Sequence, residues 1–269
     1  MKEKVTKLIK DFVGNYHSEH HTITHWEEPL IAFARAADPL FLQLKELVSP
    51  SHALPTDILA DAQTVIAFYV PFTQEVNFSN RETEESSETW ARAYTETNKL
   101  IVDLNTFMNA QFTAMNYQSS KLPPTHNFDQ EKLISDWSHK HVAYIAGLGK
   151  FGLHQMLITE KGCSGRIGSI VTNLALEPTA RPQQEYCLYK YNKTCAQCVQ
   201  KCVNGALQVD SYDRQKCYES LLLNAAKYSG FGLADVCGKC ITAVPCAFVN
   251  PCHNASRKRT RELLDSGAK

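Results

Sequence analysis

Apolar residues change their spacing along the chain in ways that predict both helices and strands. Over 4–12 they recur at intervals of three and four, which predicts an amphipathic helix. Over 64–70 the run is β-branched and aromatic and ends at Pro71, which predicts a buried strand. The same reasoning predicts helices over 39–48, 84–116, 133–146 and 213–228, and strands over 156–159 and 167–173. Because strands interleave with helices, the pattern indicates an α/β or α+β fold.

Composition narrows the class of protein. The chain has 269 residues, of which 43% are hydrophobic, so it can bury a sizeable core. Its formal net charge is zero, which argues against nucleic acid as the main partner, because phosphate binding relies on an excess of Lys and Arg. No apolar run suits a signal peptide or reaches the roughly 18 residues of a membrane span. The sequence therefore predicts a soluble, cytoplasmic protein without a membrane partner.

The ten cysteines are concentrated in the second half of the chain. None precedes Cys163, and the other nine lie between Cys187 and Cys252. This shift, together with proline-containing breaks near 180, divides the chain into three predicted parts. They are an α/β domain at 1–180, a cysteine-rich domain at 181–255 and a basic helix or tail at 256–269. A reducing cytoplasm disfavours disulfides, so clustered cysteines indicate metal binding or redox chemistry.

The spacing of the cysteines is typical of iron–sulfur proteins. Cys195, Cys198 and Cys202 reproduce the last three positions of the bacterial run C-x2-C-x2-C-x3-C, whose fourth cysteine binds the other cluster of a two-cluster protein. Asn192 stands where the first cysteine of that run would be. We therefore predict two [4Fe–4S] clusters. Tetrahedral zinc, which also uses C-x2-C pairs, is the alternative.

The cross-over rule predicts how the cysteines divide between the two clusters. One cluster takes a complete set of four: Cys202, Cys217, Cys237 and Cys240. The other cluster takes Cys195 and Cys198, and two of its positions stay open. One is filled by Cys187 or Asn192, and the other by Cys246 or Cys252. If Cys187 does not replace the missing first cysteine, that cluster has an atypical ligand or lacks one. Cys163 stands apart from both groups and is predicted to be a buried, inert thiol.

A glycine-rich segment follows the helix predicted over 133–146. It carries Gly147, Gly149 and Gly152, and two interpretations stay open. The glycines form a helix C-cap and a tight turn, or they let the backbone approach a bulky cofactor closely. Side chains that can donate protons flank the segment, and each is also compatible with a structural role: His139, His141, Tyr144 and His154.

Taken in order, these motifs resemble bacterial epoxyqueuosine reductase and its shorter relatives. The resemblance rests on AGLGKFG at 146–152, a short strand, the segment 168–173, Leu-Glu-Pro at 176–178, and the cysteine run continued as Gly-Ala-Leu. It implies a nitroreductase-like α/β domain that binds cobalamin, followed by a two-cluster ferredoxin-like domain. It also implies that an external low-potential donor, of ferredoxin or flavodoxin type, sends electrons through the clusters to cobalt, which reduces the substrate.

The resemblance further implies where the site lies. Residues that bind the cofactor are expected in and just after the glycine-rich segment: Gly147, Gly149, Lys150, Gly152 and His154. A side chain near that segment is expected to donate a proton, and the candidates are Asp136, His141 and Tyr144. The metal ligands are expected to be Cys187, Cys195, Cys198, Cys202, Cys217, Cys237, Cys240 and Cys246.

Three departures from that family bear on the substrate. The family's Asp-Ser-Ala-Pro motif is absent, although Asp136 lies nearby. The second cysteine group is stretched, with five residues between Cys240 and Cys246. We also expect the family's C-terminal helical repeat domain to be absent. We therefore expect the reaction type to carry over and the substrate to be a small molecule or another corrinoid protein. The alternatives are epoxyqueuosine reductase proper, acting on tRNA, and a simple electron carrier without a corrinoid.

Overall fold

The protein adopts a mixed α/β fold in a computed structural model that describes residues 1–253. Its strands are β1 (Leu30–Arg35), β2 (Thr64–Pro71), β3 (Phe128–Asp129), β4 (Ile134–Ser135), β5 (Gly149–Phe151), β6 (Leu157–Thr159) and β7 (Gly165–Thr172). Its α-helices are α1 (Lys2–His20), α2 (Leu40–Leu47), α3 (Pro55–Ile58), α4 (Gln74–Ser79), α5 (Glu88–Ala114), α6 (His139–Ala146), α7 (Leu188–Asn192), α8 (Gln197–Gln200) and α9 (Arg214–Lys227). Two 3₁₀ helices follow, η1 (Ser229–Phe231) and η2 (Lys239–Ile241). The tail predicted at 256–269 lies outside the described residues.

A three-stranded antiparallel sheet organises the α/β part. β2 is its central strand, with β1 on one side and β7 on the other. In the register of the sheet, Ile66 of β2 pairs with both Phe33 and Ile170. All eight residues of β2 are buried, because helices cover both faces of the sheet. A strand that is covered on both faces reads as an unbroken apolar run, which is why the sequence predicted it.

Alternate residues of β2 point into two separate cores. Ile66 and Phe68 pack with α1 and α5 on one face of the sheet. Val65 and Ala67 pack with α2 and α6 on the other face. This alternation follows from the two-residue period of a strand. It places α6, and the glycine-rich segment that follows it, on the opposite side of the sheet from the long helix α5.

The cysteine-bearing segments pack against the start of α5. Asn80 Nδ2 donates a hydrogen bond to the Cys237 carbonyl at 3.0 Å, and Ser86 Oγ donates to the same carbonyl at 3.0 Å. Gly238 has a φ of 75°, and a Cβ there would lie 2.3 Å from the indole ring of Trp90. The C-x2-C turn that begins at Cys237 therefore sits directly on the α/β part of the molecule.

The structure departs from the sequence prediction in one divided element and in several short ones that the pattern does not predict, among them α4, α8 and β5. The segment 133–146 is not one helix, because Ile134–Ser135 pairs with Phe128–Asp129 and α6 begins only at His139. Between them Trp137 is buried, and its backbone N–H donates to Ser135 Oγ at 3.3 Å, which interrupts the helix. Strand β1 was not predicted. Two of its six residues are alanine, which is depleted in strands, so its pattern is weak.

The mixed α/β class expected from the sequence is confirmed. The finer description, a nitroreductase-like domain followed by a ferredoxin-like one with a boundary near 180, stays a prediction. Within residues 1–253, no helix combines the length and the apolar character that crossing a membrane requires.

Candidate metal centres and the adjoining cleft

Four cysteines from separate elements line one cavity of about 330 Å³: Cys202, Cys217, Cys237 and Cys240. Cys202 follows α8, Cys217 lies within α9, and Cys240 lies within η2. We refer to these four residues as the 202–240 set. They are the four residues that the cross-over rule grouped together, and in the fold they share one space.

The surroundings of the 202–240 set suit an iron–sulfur cluster. The backbone N–H of Leu207 donates to Cys202 Sγ at 3.3 Å. Trp90 lines the same cavity, and its buried indole Nε1 has no hydrogen-bond acceptor among residues 1–253. Burial raises the pKa of the Cys240 thiol well above its usual range, so without a metal this thiol keeps its proton. Thiolates and inorganic sulfides would give such N–H donors acceptors, so the set fits a four-iron cluster.

A second group of four cysteines surrounds a smaller cavity of about 20 Å³: Cys187, Cys195, Cys198 and Cys246. We refer to them as the 187–246 set. Asn192 turns its Oδ1 into its own loop, where it accepts hydrogen bonds from the backbone N–H and hydroxyl of Thr194. Cys252 is buried but does not line this cavity. The geometry therefore favours Cys187 over Asn192. It likewise favours Cys246 over Cys252.

The donor chemistry of the 187–246 set also suits iron. Burial, reinforced by the neighbouring sulfurs, raises the pKa of Cys198 to about 12. The Cys198 thiol therefore keeps its proton at neutral pH unless a metal displaces it, because metal binding requires the thiolate. Each set offers four thiols, which is the number of ligands that a four-iron cluster needs.

Cys246 also takes part in an arrangement that the sequence did not predict. Its Sγ lies 3.9 Å from Cys163 Sγ and 3.4 Å from His154 Nε2, and hydrogen bonds from both hold the pKa of Cys246 well below its usual range. The three ligand atoms lie within 4.8 Å of one another. Cys163 is buried, as predicted, but it does not stand apart from the other cysteines. Spacing could not reveal this pair, since 83 residues separate Cys163 from Cys246.

The orientation of His154 is fixed by its surroundings. Its Nδ1 accepts a hydrogen bond from the backbone N–H of Met156 at 3.1 Å. In the neutral ring the proton is therefore on Nε2, which faces Cys246. The imidazole also fills the space beside Gly152, where an added Cβ would lie 2.6 Å from the ring. Gly152 therefore makes room for His154.

The other two glycines of the segment also serve the protein's own chain. Gly147 is the C-cap of α6, with a φ of 91°. A Cβ on Gly149 would lie 2.0 Å from the carbonyl oxygen of Ile158, which lies on the paired strand β6. These observations favour the helix-cap and tight-turn interpretation. Lys150 places its Nζ 5.5 Å over the ring of Tyr144. A cofactor-binding role for Lys150 and for these glycines stays a prediction.

A cleft of about 380 Å³ is lined by residues of α6, β7 and α9. It shares Cys217 and several aromatic side chains with the cavity of the 202–240 set. Three basic side chains line it: Lys140, Arg166 and Arg214. Because it adjoins a candidate redox centre, we take this cleft as the candidate site for a substrate or a second cofactor.

The three predicted proton donors occupy different positions. Asp136 does not line the cleft, and its Oδ1 accepts a hydrogen bond from Ser51 Oγ at 2.6 Å. His141 lines both the cleft and a neighbouring cavity of about 490 Å³, which Tyr144 also lines. Burial lowers the pKa of His141 to about 4, and its Nδ1 lies 2.7 Å from Ser138 Oγ. The fold thus brings His141 and Tyr144 together and leaves Asp136 apart.

Comparison with known proteins finds no matching family model and no matching curated protein. Solved structures do match. Epoxyqueuosine reductase from Streptococcus thermophilus has a TM-score of 0.54 at 16% identity, covering 89% of this chain and 64% of that one. Epoxyqueuosine reductase with an epoxyqueuosine-modified tRNA-Tyr stem loop has a TM-score of 0.51 at 17% identity, covering 87% and 64%. A catabolic reductive dehalogenase has a TM-score of 0.53 at 17% identity, covering 80% and 29%.

These likenesses show a shared fold. They confirm, at the level of architecture, the resemblance to epoxyqueuosine reductase that the motifs indicated. The chain spans 64% of the length of these two epoxyqueuosine reductase structures, which is less than two thirds. By name, both kinds of neighbour are reductive enzymes.

Proposed function

We propose that this protein is an iron–sulfur oxidoreductase with two [4Fe–4S] clusters. The observation that carries the proposal is that eight cysteines line two cavities, four around each. Reductive enzymes share the fold, which favours redox chemistry over structural zinc. The 187–246 set would hold one cluster and the 202–240 set the other. When bound, such clusters transfer single electrons.

The chain's own groups explain how these ligands would be held. Hydrogen bonds to ligand sulfurs stabilise the negative charge that a cluster brings. The backbone of Leu207 supplies one to Cys202, and the ring of His154 supplies one to Cys246. Each set therefore has at least one oriented N–H donor in place.

Metal analysis of anaerobically purified protein tests this proposal. We expect a brown protein with about eight irons and about eight sulfides per chain, since each four-iron cluster contains four of both. Cys217→Ser should lower the iron content to about four, because it removes one ligand of the 202–240 set. A colourless protein with stoichiometric zinc would contradict the proposal.

The cavity of about 490 Å³ that adjoins the cleft is the place we propose for a corrinoid, which leaves the cleft beside Cys217 as the substrate site. The cleft and the neighbouring cavity share Lys140, His141 and Arg214, so the two volumes of about 380 and 490 Å³ adjoin. A groove of this extent suits a bulky ligand. A bound corrinoid supplies low-valent cobalt as a reductant. Of the predicted proton donors, Tyr144 would supply the proton, because His141, with its pKa lowered to about 4, is neutral near pH 7 and would instead hydrogen-bond the ligand.

Cob(II)alamin added under anaerobic conditions tests the corrinoid proposal. We expect its visible and EPR spectra to change on mixing with the protein, because binding alters the ligands of cobalt. Tyr144→Phe keeps the shape of the groove and serves as a control for binding. Unchanged spectra would leave an iron–sulfur electron carrier as the alternative.

The proposed electron source is an external low-potential donor of ferredoxin or flavodoxin type, and the proposed substrate is a small molecule or another corrinoid protein. A solved structure of the same fold with a tRNA stem loop makes tRNA the second candidate. Binding of tRNA that survives physiological salt would favour the second candidate. Binding that is lost at that salt would favour the first, since nonspecific phosphate contacts weaken steeply with salt.

A further inference from the structure

The cleft has an unbalanced set of charges. Three cationic side chains, Lys140, Arg166 and Arg214, line it, and no Asp or Glu does. None of the three forms an ion pair with any residue in the described range 1–253. Grouped cations without a counter-charge are unfavourable, so their presence in one cleft calls for an anionic partner.

Arg166 shows most clearly that these cations lack a negatively charged partner. Its Nη2 donates to Asn98 Oδ1 at 2.7 Å, and its guanidinium stacks on the ring of Tyr94 at 4.3 Å. Its Nε is buried and has no acceptor among the described residues. Asp235, which lies outside the lining of the cleft, accepts a hydrogen bond from the Tyr94 hydroxyl at 2.7 Å. Arg166 is therefore held in place by neutral groups and keeps donor capacity for a ligand.

The other two cations have few competing contacts. Lys140 Nζ donates only to the carbonyl oxygen of Gln155, at 3.3 Å. Arg214 is the first residue of α9, where its side chain is exposed and makes no hydrogen bond within residues 1–253. Both side chains can therefore turn toward a ligand in the cleft without first breaking an ion pair.

Aromatic side chains form much of the remaining wall: Tyr94, Phe128, Trp137, Tyr212 and Tyr218. Aromatic walls favour a flat, apolar body, because ring faces pack against it. The volume of about 380 Å³ suits a small molecule. The cleft therefore combines a flat apolar surface with a cationic one.

We propose that this cleft recognises a small, planar substrate through an oxyanion, a carboxylate or a phosphate. Arg166 is the principal anchor, and Lys140 and Arg214 flank it. This inference rests on the proposed function, because it takes the cleft to be the substrate site of the reductase. Carboxylate and phosphate share the same recognition by guanidinium N–H groups, and the experiment distinguishes the two.

Calorimetric titration of the anaerobically purified protein with benzoate, inorganic phosphate and benzamide tests the proposal. Benzoate is expected to bind, and its affinity to fall as salt rises, because an exposed cationic site is screened. Benzamide has the same shape without the charge and is expected to bind at least about tenfold more weakly, since charge-assisted hydrogen bonds are the stronger ones. Phosphate binding tighter than benzoate binding assigns the oxyanion as phosphate, and the reverse assigns it as carboxylate.

Three variants make the test specific. Arg166→Gln and Arg214→Gln are each expected to weaken anion binding about tenfold. Arg214 is exposed, so its variant keeps the fold even if Arg166→Gln does not. Arg181→Gln, which removes an arginine paired with Asp38 at 2.7 Å and outside the cleft, is the control and should bind normally.

Equal binding of benzoate and benzamide, or no anion binding, would overturn the inference. A second outcome would also overturn it: the Arg166 and Arg214 variants shift the reduction potential of a cluster but leave the anion affinity unchanged. The cations would then serve only to balance the cluster's charge. Iron content is measured on the same samples. Normal iron without anion binding rejects the inference alone, whereas absent iron rejects the proposed function.

Discussion

The Nε2 atom of His154 lies 3.4 Å from the Sγ atom of Cys246 and carries the ring proton in its neutral form. The direction of this hydrogen bond is set by the backbone N–H of Met156, which occupies Nδ1. A donor to a ligand sulfur stabilises the reduced state of a cluster, because that state carries more negative charge. His154 is thus placed to tune the cluster proposed for the 187–246 set.

Removing this donor should lower a reduction potential. His154→Leu is expected to lower the potential of the cluster in the 187–246 set by roughly 20–60 mV, the one-electron equivalent of about 0.5–1.5 kcal/mol for one hydrogen bond. An EPR-monitored redox titration measures the shift. His154→Gln, which keeps an N–H donor, should recover part of it. Equal potentials in the wild type and the leucine variant would show that the contact does not tune the cluster.

Adding a methyl group at Gly152 should disturb the same contact from the other side. A Cβ there would lie 2.6 Å from the ring of His154, so Gly152→Ala is expected to destabilise the protein by about 1–3 kcal/mol. The matched control is Gly14→Ala in α1, where nothing lies within 4 Å of the added Cβ. That change should stabilise by roughly 0.5–1 kcal/mol, as expected for glycine in a helix. Urea denaturation compares the two; similar effects would contradict the packing argument.

The two remaining candidates for the last ligand of the 187–246 set can be separated by substitution. Cys246→Ser is expected to reduce iron from about eight to about four atoms per chain or fewer, because Cys246 lines the cavity of that set. Cys252→Ser is expected to keep the wild-type iron content. Anaerobic iron and sulfide analysis provides the measurement. The opposite pattern of loss would make Cys252 the ligand.

Acid should destabilise the protein through His139. Its Nε2 donates to the Pro123 carbonyl at 2.9 Å and its Nδ1 accepts from Ser169 Oγ at 2.9 Å, so the buried ring is neutral. Burial lowers its pKa from 6.5 to about 4. The unfolded chain therefore binds more protons at His139 between these values, so this residue alone should remove roughly 3 kcal/mol of stability as pH drops from about 6.5 to about 4, and His141 should add to the loss.

Urea midpoints at several pH values measure this effect. His139→Gln should be less stable than the wild type near pH 7.5 but lose less stability on acidification, because glutamine does not titrate. His21→Gln, at an exposed position, is the control and should keep the wild-type dependence. An unchanged acid slope in His139→Gln would assign the titration to another group.

The spacing of the cysteines along the chain predicts the 202–240 ligand set but not the contacts of every cysteine. The 202–240 set was grouped in full from its sequence positions, and its four residues line one cavity. The contact of Cys163 with Cys246 depends on how β7 and the last segment pack, and no short-range pattern encodes it. The orientation of Asn192 is also not encoded by cysteine spacing. Its side chain binds its own loop because Thr194 offers two donors.

The spacing of apolar residues predicts helices and strands best where a segment follows a single pattern throughout. The helices α5 and α9 and the strand β2 lie where the apolar pattern placed them, whereas α1, predicted over 4–12, continues to His20. Over 133–146 the apolar pattern suggested one helix, but burial of Trp137 and the pairing of Ile134 with Asp129 divided it. The cleft could not be predicted, because Arg166 and Arg214 lie on separate elements that only the fold brings together.

One cysteine set is nested inside the other along the chain. Cys202 and Cys240 of one set fall between Cys198 and Cys246 of the other. The 202–240 set is therefore complete within one continuous segment, whereas the 187–246 set is completed only by Cys246, near the end of the described chain. During synthesis the inner set would emerge from the ribosome complete before the outer one, so its proposed cluster could be inserted first.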